Sequence, residues 1–217
     1  MQTLSEQIFH LHPPDGLFDD TVIRTLRPGL GPDARRALVH RAVASGEVLR
    51  LKPGVYCLAP GLRRSSPHPF AVAAMLHYPS QVSVETALCH HGLLPEAAEQ
   101  VVSVTADRSR TFVTPLGRFV FIRVPCESLR AGVRVHEVAR DAWAFVATPL
   151  RAIGDLVYVR KGVTWERDGL RFLLESMRIE PEDLDALSFE DFDEIHDSIR
   201  SRRTERYLDG LRRELRA

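Results

Sequence analysis

Lysine is almost missing from this chain of 217 residues: only Lys52 and Lys161 carry an ammonium group, so arginine supplies nearly all the positive charge. Cysteine is scarce too. Cys57, Cys89 and Cys126 are odd in number, far apart and never in a CxxC pair. That excludes a disulfide framework and a zinc ribbon and leaves reduced, mostly buried thiols as the expectation. No apolar run is long enough to span a bilayer, and the opening MQTLSEQIFHLHPPDG has neither the basic start nor the apolar centre of a signal peptide. A cytoplasmic protein with no membrane partner is expected. Net charge is absent as well: the formal total at pH 7 is zero, so the chain as a whole does not announce nucleic acid.

The motifs of several enzyme classes are also missing. There is no Gly-rich phosphate loop and no GxSxG. A metal-dependent nuclease clusters carboxylates with a nearby lysine, but Lys161 follows Arg160 with no acidic residue two positions before it. Asp191 and Asp193 form an Asp-x-Asp of the kind nucleotidyltransferases use, without a Gly-Ser element a short way upstream. Glu85 and Cys89 share a helix face next to His90 and His91, yet the spacing offers no third metal ligand. No catalytic residue, cofactor or metal is therefore expected.

What is present is regular patterning, with length enough for one medium domain or two small ones. Leu4, Ile8 and Leu11 fall at helical spacing before Pro13 and Pro14, and Leu17, Phe18, Val22, Ile23 and Leu26 repeat the pattern before Pro28-Gly29. A third helix is predicted to start after Pro32, with Asp33 as its N-cap and Gly46 as its stop. EVLRLKPGVYCLAP then reads as two strands turned by Pro53-Gly54, a type II pair. Three helices and a hairpin are the order of a winged helix-turn-helix, assigned to residues 1–60. APGLRRSSPHP supplies a linker over 61–69. Residues 70–217 read as a mixed α/β domain with a helical C-terminal tail, so the fold class expected is α+β.

In that second region FAVAAMLHY and SVETALCHHG are predicted helices, the latter capped by Ser83 and stopped by Gly92. VVSVT, RTFVT, RFVFIRV, VRVHEV and AWAFVAT are predicted strands, and RTFVT with RFVFIRV forms a hairpin. From Pro149 the chain is helical, with Leu150, Ile153, Leu156 and Val157 on one face. Nine acids and no Lys or Arg stand between Glu180 and Asp197, followed by seven arginines against three acids from Ser198 onward. The simpler reading pairs these two segments with each other, within the chain or across a dimer; the other gives the arginines to nucleic acid.

The basic residues concentrate where a winged helix-turn-helix meets DNA. Arg35, Arg36 and His40 lie on the third helix, which enters the major groove, and Arg50 and Lys52 lie on the wing, placed for phosphates. A solvated helix face that packs only against protein is the alternative. Arg108, Arg110 and Arg118 around the predicted strand pair are further surface candidates, although a charged hairpin edge that discourages aggregation explains them nearly as well. Asp155 stands one helical turn after Arg151, which suggests an exposed contact of little energy.

RLKPGVYCLAP, PSQVSVETALCHHGLLPE, VVSVTADRSRTFVTPLGRFVFIRV and FVATPLRAIGDLVYVR follow one another in an order and spacing that resemble the AbiEi antitoxin family of type IV toxin-antitoxin, or abortive-infection, systems. The resemblance spans about residues 15–161. It implies an N-terminal winged helix-turn-helix that represses its own operon by binding double-stranded DNA upstream, through Arg35, Arg36, His40, Arg50 and Lys52. It also implies a C-terminal domain that counteracts a nucleotidyltransferase-like toxin and need not form a stable complex with it, Arg108, Arg110, Arg118 and Arg151 being that domain's surface candidates. One departure is visible. After the Thr-Pro of FVATPLRAIG this chain has Leu150 and Arg151 where the family often has an acid followed by lysine. The runner-up is a stand-alone winged-helix regulator whose second domain senses a ligand or a protein.

Overall fold

Helix caps and turn residues set the N-terminal part. The computed structural model describes residues 3–95, 99–188 and 190–216. The outer bounds of the two expected domains, residues 1 and 217, and Glu96 within the second resembling segment lie outside the described residues. Thr3 closes a capping box with Glu6 at the head of α1 (Leu4–Leu11), which ends at His12 in the left-handed region, just before the two prolines. Leu17 and Phe18, expected in a helix, instead begin β1 (Leu17–Asp19), because the turn through Asp15 and Gly16 lays the chain alongside a later strand. Asp19 then caps α2 (Asp20–Leu26), accepting from Thr21 N at 2.8 Å and Val22 N at 3.2 Å. Helix α3 (Pro32–Ala44) has Pro32 in its first turn and Gly31 as N-cap. Asp33, the expected cap, lies one residue inside the helix and pairs with Arg36 at 2.5 Å.

Strands β2 (Val48–Lys52) and β3 (Val55–Leu58) form the predicted hairpin, with Gly54 at φ 83°. Together with β1 they make a three-stranded antiparallel sheet in the order β1-β3-β2. Arg50 faces Tyr56 and Lys52 faces Val55, so Leu51 is one residue too many and forms a bulge.

The second unit begins with α4 (Pro69–Leu76), β4 (Gln81–Val82) and α5 (Val84–His90). Ser83 stands at the cap position of α5 but makes no side-chain cap bond, because its hydroxyl donates to Asp155 Oδ2 at 2.7 Å. Strands β5 (Val101–Thr105), β6 (Arg110–Thr114), β7 (Gly117–Arg123), β8 (Val133–Ala139) and β9 (Ala142–Ala147) complete a mixed sheet ordered β6-β7-β5-β4-β9-β8. Its parallel pairs are β5 with β7 and β4 with β9. The chain ends in α6 (Pro149–Val159), α7 (Trp165–Asp168), a π-helical turn (Phe172–Ser176), α8 (Pro181–Asp185), α9 (Glu190–Ser198) and α10 (Arg202–Glu214). The fold is therefore α+β. No helix of the described residues is long and apolar enough to cross a membrane.

Leu150, Ile153, Leu156 and Val157 are all buried against α5, α9 and α10, and each such side chain contributes about 1.5–3 kcal/mol of burial. A second apolar cluster joins the two sheets. Leu51, Val55 and Cys57 of the hairpin pack with Val72 and Leu76 of α4 and with Phe119 and Phe121 of β7. The segment expected as a linker thus runs beside a packed junction, and its first two residues, Gly61 and Leu62, belong to a 3-10 turn (Pro60–Leu62).

Candidate nucleic-acid interface

Arg35 and Arg36 on α3 and Arg50 on β2 line one groove of about 560 Å³, together with Arg24 of α2, Asp20 and Tyr56. The groove forms because α2 and α3 pack over the hairpin through Ile23, Val39 and Tyr56, while their polar sides open to solvent at the turn. Arg36 and Arg50 are exposed and Arg35 is half-buried, donating to the Leu30 carbonyl at the approach to α3. Arg24 donates to Thr21 Oγ1 at 3.1 Å. At the floor, burial pushes the Tyr56 phenol above its usual pKa, and the Asp20 carboxylate adds to the shift. Four guanidiniums on a concave surface with one carboxylate among them can hold phosphate oxygens and hydrogen-bond base edges.

His40, one turn beyond Arg36, is exposed and lies outside the residues that line this groove. Lys52 faces elsewhere. Its ammonium donates to the Leu76 carbonyl at 2.7 Å and sits 5.9 Å from the centroid of the Phe112 ring, and partial burial followed by the charge of Arg110 lowers its pKa. The expectation that Arg50 and Lys52 share one phosphate-facing side is corrected by the bulge at Leu51, which breaks the two-residue alternation and turns Lys52 to the face of Val55. Arg24 was missed by sequence reading, since one arginine on the polar side of a short helix looks like any solvated charge.

The arginines expected on the surface of the second unit separate into two groups. Arg108, Arg110 and Arg118 are exposed around β6 and β7, Arg118 donating to Gln100 Oε1 at 3.0 Å. Arg151 is not on the surface: its side chain is 0% exposed. Its Nε lies 3.1 Å from both Asp155 carboxylate oxygens and its Nη1 donates to the Ala131 carbonyl at 2.8 Å. The weak exposed contact anticipated for this pair is thus a buried ion pair, because α6 turns this edge toward the sheet and the Ala131–Gly132 backbone. Burial opposes the Arg151 charge, but Asp155 and the nearby Cys126 outweigh it and hold the guanidinium above its ordinary pKa.

The acidic and basic C-terminal segments pair within the chain. Arg212 of α10 bonds Asp193 of α9 at 2.5 Å, and His196 lies 3.5 Å from Asp209. Asp191 accepts from Arg134 at 2.8 Å. Arg203 donates to the carbonyls of Val157 and Val163 at 2.7 Å and of Tyr158 at 3.0 Å, closing the C-terminus of α6. Arg63, Arg64 and Arg140 line a separate cleft of about 320 Å³ at the junction of the two units. In comparisons with known proteins, no family model and no curated protein matches the chain.

Proposed function

We propose that this chain is a DNA-binding regulator of the winged helix-turn-helix type, with α3 entering the major groove and the β2–β3 hairpin lying along the adjacent backbone. The observation that carries this reading is the convergence of Arg24, Arg35, Arg36 and Arg50 on one groove although they come from three elements. Arg35 and Arg36, in the first turns of α3, are the candidates for guanine O6 and N7, and Arg24 and Arg50 for flanking phosphates. Asp20 among them selects against an indiscriminate polyanion grip, since a carboxylate tolerates only a base edge that donates to it. Lys52 has no part in this contact.

The resemblance to the AbiEi antitoxins extends the proposal: the chain represses its own operon and its second unit counteracts a nucleotidyltransferase-like toxin, with Arg108, Arg110 and Arg118 the exposed cations available there. A stand-alone regulator that senses a small molecule is the second reading, favoured by the arginine-lined cleft between the units.

Fluorescence anisotropy with DNA from immediately upstream of the gene, against a scrambled competitor and across a salt series, tests the first reading. Specific binding that loses its sequence preference in Arg35→Ala/Arg36→Ala is expected. Arg50→Ala should weaken binding to every sequence and flatten the salt slope by about one. Equal affinity for specific and scrambled DNA in the native protein would reject it. A nucleotidyltransferase-like gene directly downstream, whose toxicity co-expression of this chain relieves, separates the antitoxin from the stand-alone regulator; absence of such a gene favours the latter.

A further inference from the structure

Three imidazoles meet where the C-terminus of α5 faces the edge strand β8. The ring centroids of His90, His91 and His136 are 5.1, 5.2 and 5.6 Å apart pair by pair. His90 Nε2 and His136 Nδ1 are 3.4 Å apart. That is long for a hydrogen bond. It matches the separation of about 3.3–3.4 Å between two nitrogens bound to one Zn²⁺ at about 2.0–2.1 Å and a tetrahedral angle. The same geometry puts the centroids of bound imidazoles about 5 Å apart.

His91 adds a second observation. Its Nε2 donates to the Ala147 carbonyl at 2.8 Å, so the proton sits on that nitrogen and Nδ1 keeps its lone pair. Donation of the far N–H to a carbonyl is how metal-ligating histidines are oriented.

We propose that His90 and His136 bind a divalent late transition ion of the zinc class, for which imidazole is a suitable ligand. Among the described residues no group of three or more His, Cys, Asp or Glu is arranged to hold a metal ion. The site consequently has two protein ligands in the present rotamers, with water completing the shell. His91 stands beside them as a third imidazole, its ring held by the Ala147 carbonyl and its Nδ1 lone pair left free. Bound metal would clamp the end of α5 to β8. The sequence offered no third ligand near His90 and His91 because His136 lies more than forty residues away and arrives only through the β8–β9 hairpin. This proposal is independent of DNA binding.

The test is titration of the chelator-treated full chain with Zn²⁺ and with Co²⁺, whose visible absorption reports a tetrahedral nitrogen site. One equivalent should bind and raise the thermal midpoint, while Mg²⁺ does neither. His90→Gln and His136→Gln should each weaken binding at least tenfold, with His91→Gln weakening it less and the exposed His10→Gln leaving it unchanged. Both ligand variants keep a polar side chain of similar length, and their apo thermal midpoints report folding separately. No binding by the native chain, or binding that survives the His90→Gln/His136→Gln double variant, overturns the proposal.

Discussion

The Lys52 ammonium caps the end of α4 by donating to the carbonyl of Leu76, the last residue of that helix, at 2.7 Å. A cation at a helix C-terminus satisfies a carbonyl that has no intrahelical partner and opposes the dipole there. The contact also ties the hairpin to the second unit beside the apolar cluster that both share. Lys52→Met, which retains the apolar stem, should lower stability by about 1 kcal/mol in urea unfolding. DNA affinity and its salt slope should not change. A flattened slope would return Lys52 to the phosphate-binding face.

Arg151 and Asp155 are both buried, and Ser83 donates to the same carboxylate. Taking away one charge leaves the other in a low-dielectric site, so Arg151→Met or Asp155→Asn should each cost about 3–5 kcal/mol. The double variant should cost clearly less than the sum, because it leaves no orphan charge. Denaturant unfolding of the full cycle measures the coupling, and additive losses would show that the pair is not acting as a pair.

These two ion contacts show where the sequence stopped being legible. Periodicity and turn residues placed α1, α3, the hairpin turn at Gly54 and most strands of the second sheet, since local sterics and alternation govern them. Leu17 and Phe18 looked helical because their spacing is ambiguous over so short a run; pairing with β3, which is tertiary, decided otherwise. Strand β4 is two residues long and carries no pattern at all, yet it sits in the middle of the sheet. Within the candidate site, Arg35, Arg36 and Arg50 were readable as a basic cluster. The direction of Lys52 was not, because a single bulge reverses it, and neither was the burial of Arg151, which depends on a backbone turn twenty residues earlier.

Acid should destabilise the protein through its histidines. His68, His77, His90 and His91 all have pKa values lowered in the folded chain, chiefly by burial, so the unfolded chain binds more protons than the folded one. Stability is then complete above the unfolded histidine value of about 6.5 and falls as pH drops through it towards the folded values. For His90 the other charges acting on it are His68, His91 and His136, so each successive proton meets repulsion. Chemical unfolding between pH 8 and 5, with chelator present to exclude metal, should show the decline beginning near pH 6.5. His90→Gln/His91→Gln should make it shallower, and a pH-independent stability would contradict the buried-histidine account.

Gly210 lies on the inner side of α10, where the Trp165 ring of α7 rests against it and stands edge-on to Tyr207 with centroids 5.4 Å apart. Two effects oppose each other in Gly210→Ala. Alanine favours a helix over glycine by about 1 kcal/mol, which would stabilise the protein if nothing else changed. A Cβ at this position, however, would overlap the Trp165 indole at its fused edge, so the ring has to move. That repacking costs about 1–3 kcal/mol in a filled core. The indole is hemmed in by Tyr207, whose hydroxyl is fixed to the Gly169 carbonyl at 2.8 Å, so the clash should win and the variant should be destabilised. In a Trp165→Leu background the obstruction is gone, and the same glycine substitution should become neutral or stabilising. Thermal midpoints of the four proteins decide the matter: a stabilised single variant would mean that Trp165 swings aside freely and that α7 is not packed against α10.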